Sequence, residues 1–149
     1  MSNAFVNGIP LEQSYEENSP TIKVEFIISG DLINVDIIDK LLQIKNANIL
    51  KKDELISGKI RPNITNSWTV CTEYTKTYEV EEELLKIITQ LKNKIPVLNK
   101  IYNMFDDIVI KFCIVISMKN GYTPILYFNN NVLKFISDIH ASMDFDLYV

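Results

Sequence analysis

The residues of this 149-residue chain whose types and spacing could do chemistry are few. Asp144, Asp146 and Tyr148 stand two apart near the C-terminus, so on a strand they share one face. Two carboxylates at that spacing supply only part of the oxygen shell a hard cation takes, but they suit the anchoring of a basic partner. They also fit a plain solvated strand face, or edge charges that discourage aggregation. His140 is the one histidine, with Ser137, Asp138 and Ser142 close by in sequence. A Ser-His-Asp site is made by three-dimensional geometry, not by sequence proximity, and the chain has no Gly-x-Ser-x-Gly elbow. A histidine at a helix C-terminus is accounted for by the helix dipole.

Cys71 and Cys113 are isolated, without CxxC spacing, and a disulfide framework or zinc site needs more ligands. A reactive thiolate needs a cationic neighbour, and Lys111 shares a strand face with Cys113. Trp68, preceded by Lys59 and Arg61, borders a long polar stretch, and tryptophan and arginine are typical interface anchors. Trp68 is also in phase with Val70, which fits a core residue. Glu81, Glu82 and Glu83 read as a solvated, dipole-complementing helix start, with Glu82–Lys86 as ordinary helix support. There is no Gly-rich phosphate loop, no HExxH and no Walker motif. No catalytic residue, metal ligand or cofactor is therefore assigned, and the reading leans away from an enzyme. The partner-binding candidates are Asp144, Asp146, Tyr148, Arg61 and Trp68.

Composition narrows the classes further. A formal net charge of −4 opposes non-specific nucleic-acid binding. Arg61 is the only arginine, and arginine is the usual residue for bidentate phosphate or guanine recognition. No apolar run approaches the ~20 residues that span a bilayer, and the N-terminus has neither the basic nor the apolar region of a signal peptide. These features predict a cytoplasmic protein that binds neither nucleic acid nor membrane. With 47% apolar residues the chain can bury a core.

The elements that must position these residues follow from periodicity. Residues 1–19 read as a flexible polar arm, and 20–149 as one domain. Alternation predicts a strand over 21–29, with Ile22, Val24, Phe26 and Ile28 on one face. Asn34 caps a helix whose stripe is Ile37, Ile38, Leu41 and Leu42. Residues 45–65 read as a long loop. A strand over 67–75 places Trp68, Val70 and Tyr74 together. A helix from Val80 buries Leu84, Ile87, Ile88, Leu91 and Ile95, and Pro96 starts a second, shorter one. The strand over 108–118 is central, Asn120-Gly121 signals a hairpin, and 124–128 pairs back. Asn129 to Asn131 offer caps for a last helix. The strand over 142–149 turns Met143, Phe145, Leu147 and Val149 inward. The fold class is α+β: a mixed or largely antiparallel sheet of four to five strands, helices mainly on one face, split βαβ-like.

The run Ile136-Ser137-Asp138-Ile139-His140-Ala141-Ser142, leading into Met143-Asp144-Phe145-Asp146-Leu147-Tyr148, resembles the closing signature of the domain of unknown function 4279 family. There a small-residue break leads to an Asp-x-Tyr strand end. The opening strand with Gly30, the helix ending Leu41-Leu42-Gln43-Ile44, the Gly58-Lys59 loop and Trp68 at the start of the second strand fit as well. Gln43 stands where the family pattern implies glycine, and no proline follows Ile44. The resemblance covers about residues 22–148 and implies the fold, with no activity attached.

These observations lead to the expectation of a small non-catalytic binding protein, immunity-type or regulatory, with an acidic face toward a basic protein partner. The competing expectation is a small-molecule sensor or enzyme with a pocket between the sheet and the 45–65 loop, drawing on Cys113, Tyr74, Arg61 and His140. A structural homo-oligomer is a third, marked by an exposed apolar edge strand.

Overall fold

The computed structural model describes residues 5–6, 9–10, 15–54 and 64–149. Arg61, and with it Gly58 and Lys59, lies outside these residues. The strands are β1 (Phe5–Val6), β2 (Ile9–Pro10), β3 (Thr21–Gly30), β4 (Asn48–Leu50), β5 (Asn66–Cys71), β6 (Thr75–Lys76), β7 (Val109–Ser117) and β8 (Ala141–Tyr148). The helices are α1 (Val35–Leu42), α2 (Val80–Leu91), α3 (Ile95–Met104) and α4 (Asn130–Asp138). The fold is α+β, with a mixed, mostly antiparallel six-stranded sheet in the order β4-β5-β3-β7-β8, and β6 also pairing β3. β1 and β2 form a separate two-stranded ladder. The count differs from expectation because β4 lies inside the stretch read as a loop and the 67–75 segment divides into β5 and β6, while 124–128 adds no strand.

β3 alternates buried and half-buried residues along its whole length. Ile22, Val24, Phe26 and Ile28 are fully buried, as are Phe112, Ile114 and Ile116 of β7. Phe26 lies 4.9 Å from Phe112 and 6.3 Å from Trp68, ring centre to ring centre. Each such side chain removed from water stabilises the fold by about 1.5–3 kcal/mol. The opposite face of β3 stays half-exposed, so the sheet is covered by helices on one side only. β5 and β7 both run antiparallel to β3 and therefore parallel to each other, with β3 between them and α2 and α3 connecting them. That is a split βαβ unit. β7, α4 and β8 form a second, adjacent parallel pair.

Local signals set the helix ends. The Asn34 carboxamide accepts the Ile37 N–H at 3.1 Å, and that of Asn129 accepts the Val132 N–H at 3.0 Å. Pro96 sits in the first turn of α3, after a 3-10 turn over Lys92–Lys94 that ends α2. The Glu81–Glu83 run is not simply solvated. Glu81 accepts the N–H and the side-chain amide of Asn129, tying the start of α2 to the start of α4. Glu83 is buried and takes both hydrogen bonds from Lys86 (2.7 and 2.9 Å), the role expected of Glu82.

Three segments depart from expectation. Asn120 and Gly121 both have positive φ, as a hairpin turn requires. The chain after them does not return to β7, however: the Ile125 N–H donates to the Tyr78 carbonyl at 2.7 Å, just before α2. The expected inward residues Phe145 and Leu147 of β8, and Val149 after it, are exposed, because β8 is the sheet's edge. At the end of β3, a Cβ on Gly30 would meet the Asp107 carbonyl at 3.0 Å, so only glycine fits this close approach.

Gln43 ends α1 in the left-handed region (φ 52°), its N–H donating to the Asp39 carbonyl at 3.0 Å. A left-handed residue with a Cβ carries a cost of about 1 kcal/mol, which glycine avoids. Gln43→Gly is expected to raise stability by about 0.5 kcal/mol, net of the entropy glycine adds to the unfolded chain, or about 1–2 °C in Tm. Trp68→Phe removes the indole N–H bond to the Asp39 carboxylate (3.0 Å) and part of a fully buried ring. It is expected to cost about 1–3 kcal/mol. Denaturant titration of both variants measures these changes.

Candidate functional site

The half-exposed face of the sheet carries the polar residues that the helical face excludes. In the register, Cys71, Glu25, Cys113 and Asp144 lie side by side across β5, β3, β7 and β8. Lys23, Val115 and Asp146 form the next row, and Thr21, Ser117 and Tyr148 the one after. Two ion pairs lie on this face, Lys23 with Glu25 at 3.1 Å and Lys111 with Asp144 at 3.0 Å, while Lys76 stands opposite Thr21 at its far edge. Asp146 differs. Its carboxylate accepts the Tyr148 hydroxyl at 3.0 Å, and among the described residues no cation stands within ion-pair distance of it. A cavity of about 410 Å³ opens beside it, framed by Glu25, Val115, Ser117, Tyr74 and Tyr148.

Tyr74 reaches this face through a one-residue bulge. Glu25 pairs with Cys71 and Ile22 with Thr75, so three steps along β3 oppose four along its partner. The Thr72 hydroxyl accepts the Val24 N–H at 2.9 Å, and the Thr72 N–H donates to the Val24 carbonyl. The extra residue reverses the alternation. Tyr74 therefore leaves the Trp68–Val70 side, turns outward and lies under the Lys23 ammonium, 5.2 Å from its ring centre. Alternation along β3 places Lys23 and Glu25 on this face but misses Tyr74, because a bulge is invisible to an alternation count. The one local signal is Thr72, whose hydroxyl can replace a ladder acceptor.

Asp144, Asp146 and Tyr148 are together and exposed on β8. Trp68 is fully buried in the core and offers no surface to a partner, which removes it from the candidate set. Arg61 lies outside the described residues. The residues considered for a pocket beside the 45–65 loop do not converge: Tyr74 and Cys113 stand on the open face, while His140 stacks on Tyr102 of α3 at 4.2 Å. Among the described residues, no group of His, Cys, Asp and Glu is placed to hold a metal, and no helix is long and apolar enough to cross a membrane. A second cavity, of about 420 Å³, lies where Tyr15 stacks on Tyr78 at 3.9 Å, with Lys76, Glu79 and Ile125 around it.

Burial, then the nearby Glu25 carboxylate, pushes the Cys113 thiol up, against the opposing pull of Lys111. The Tyr148 phenol is raised by its hydrogen bond to Asp146 and by that carboxylate's charge. Lys23 is raised chiefly by its hydrogen bond to Glu25. All three hold their protons longer in the folded chain than in the unfolded one. Their stabilisation is therefore complete below the ordinary values, of which the thiol's is lowest, and is lost as pH rises through the folded values. Thermal melts are expected to be insensitive to these groups through neutral pH and to fall in alkali above about pH 9. In Cys113→Ala the decline is shallower.

Neither a curated protein nor a solved structure matches this chain. A family model described as "Domain of unknown function (DUF4279)" matches residues 20–149. That span runs from the residue before β3 to the end of the chain and takes in every strand of the six-stranded sheet. The chain belongs to the DUF4279 family.

Proposed function

We propose that this chain is a non-catalytic protein-binding module, immunity-type or regulatory and acting in the cytoplasm, whose β8 strand and adjoining sheet face receive a basic protein partner. The observation that carries this reading is Asp146, an exposed carboxylate with no cation within ion-pair distance among the described residues, beside the Lys23–Glu25 and Lys111–Asp144 pairs. Around it lie a cavity and two exposed tyrosines, Tyr74 and Tyr148, a residue type enriched at interfaces. A lysine or arginine entering beside Asp146 gains a partner without breaking an existing ion pair. The net charge of −4 adds long-range attraction for a basic surface, such as that of a basic toxin domain. The dispersal of Cys113, Tyr74 and His140 speaks against a shared catalytic pocket.

Affinity capture from lysate of the source cell, with wild type beside Asp144→Ala/Asp146→Ala, tests the reading. Circular dichroism establishes that both are folded; loss of the exposed Lys111–Asp144 pair costs at most about 1 kcal/mol. The wild type is expected to retain a specific basic protein at about 50 mM salt and to release most of it by about 300 mM, as screening shortens the reach of the charges. Capture that ignores salt, or that the double variant keeps undiminished, refutes the acidic-face reading.

A further inference from the structure

β8 is the last strand of the sheet, and among the described residues no further strand pairs with it. Its register with β7 decides which backbone groups are committed. The Tyr148 carbonyl accepts the Met118 N–H at 2.8 Å, on the β7 side. In a parallel ladder the alternate residues Ser142, Asp144 and Asp146 then also turn their N–H and C=O groups toward β7. Met143, Phe145 and Leu147 turn theirs outward. The same three side chains point to the helical face, where Phe145 is 42% and Leu147 54% exposed. The outer edge thus offers a row of hydrogen-bonding groups, an apolar strip on one side and Asp144 and Asp146 on the other.

Resting on the protein-binding reading, we infer that β8 is a docking edge for an extended partner segment that alternates apolar and basic residues. Such a segment adds a seventh strand to the sheet. Its apolar side chains lie against Phe145 and Leu147, and its lysines or arginines lie beside Asp144 and Asp146.

Charge favours this occupant over a second copy of the chain in most registers. A two-fold edge pairing must match outward-turned residues with outward-turned residues. Centred on Phe145, it sets Asp144 opposite Asp146 of the other copy, twice. Centred on Asp144 or Asp146, it sets that aspartate opposite itself. Like charges directly opposite destabilise a pair of strands. A shift to Met143 avoids this but runs into His140, whose left-handed backbone (φ 58°) ends the strand. A register centred on Leu147, with Asp146 opposite Tyr148, escapes both obstacles, so the aspartates disfavour the homodimer in the central registers and favour a basic strand.

The probe is a capped synthetic peptide alternating lysine and valine over eight residues, the length of β8, titrated into the full chain and followed through the backbone amide signals of residues 141–149. Two further peptides carry N-methyl groups on all valines or on all lysines. Only the set whose amides face β8 matters: the valines in an antiparallel docking, the lysines in a parallel one. One methylated peptide is expected to bind at least about tenfold more weakly than the parent, through lost strand hydrogen bonds. The other is expected to stay within about threefold of the parent. Asp144→Asn/Asp146→Asn is expected to weaken the parent at least about fivefold, and a glutamate–valine peptide is expected not to bind.

If both methylated peptides bind like the parent while the aspartate variant loses binding, the edge inference fails and the acidic-face reading stands. If no lysine–valine peptide shifts the β8 amides at millimolar concentration, the edge inference fails by itself, since protein capture decides the broader reading separately. Self-association in sedimentation that is lost on Leu147→Asp would give the edge to a second copy and overturn the inference.

Discussion

β3 pairs on both sides, with β5 and β6 along one edge and β7 along the other, nine register pairs joining it to β7 alone. Because side chains alternate strictly across a strand, a shift of one residue would carry Ile22, Val24, Phe26 and Ile28 out of the core at once. The position of the other strands of the six-stranded sheet is referred to this alternation. The helices cover whichever face carries the apolar set, and Phe26, between Phe112 and Trp68, holds the three strands in step.

The consequence of that one-sided burial is a second sheet face that no helix covers among the described residues. A bare antiparallel face exposed to water has to be polar or self-paired, and the Lys23–Glu25 and Lys111–Asp144 ion pairs meet that requirement. Pairs of this kind are worth little as stability, since water competes for both partners. Their effect is to leave the face nearly neutral at its centre and to concentrate unmatched charge at one edge. The site is thus a by-product of how the sheet is balanced: Asp146 sits on the edge strand, where among the described residues no lysine is placed to pair with it. The bulge at Thr72 adds Tyr74 to the same face, so an aromatic wall stands beside the carboxylate.

The edge itself is a liability that folded proteins usually cover or charge. Here it is charged on one side and left apolar on the other. The aspartates oppose self-pairing in the central registers, while Phe145 and Leu147 stay open to a strand that carries the opposite charge. A residue that prevents aggregation and one that selects a partner are on this view the same residue, read by two different neighbours.

Much of the architecture was legible in the residues. The apolar alternation of β3 and β7, the asparagine caps at Asn34 and Asn129, the break at Pro96 and the turn at Asn120-Gly121 are encoded within a few positions, because each depends on backbone preferences or on a local hydrogen bond. The grouping of Asp144, Asp146 and Tyr148 follows from spacing alone. Long-range geometry decided the rest. Tyr74 changed faces because β3 imposed one extra residue on its partner, and Trp68 lost any surface role because the Asp39 carboxylate and the helical layer closed over it. Glu83 took the lysine expected for Glu82, and Phe145 became exposed because β8 is the sheet's edge. Whether a strand lies at a sheet's centre or its edge depends on which segments it meets. That is settled by packing between distant parts of the chain, so a strand's own pattern shows which residues share a face but not what, if anything, covers it.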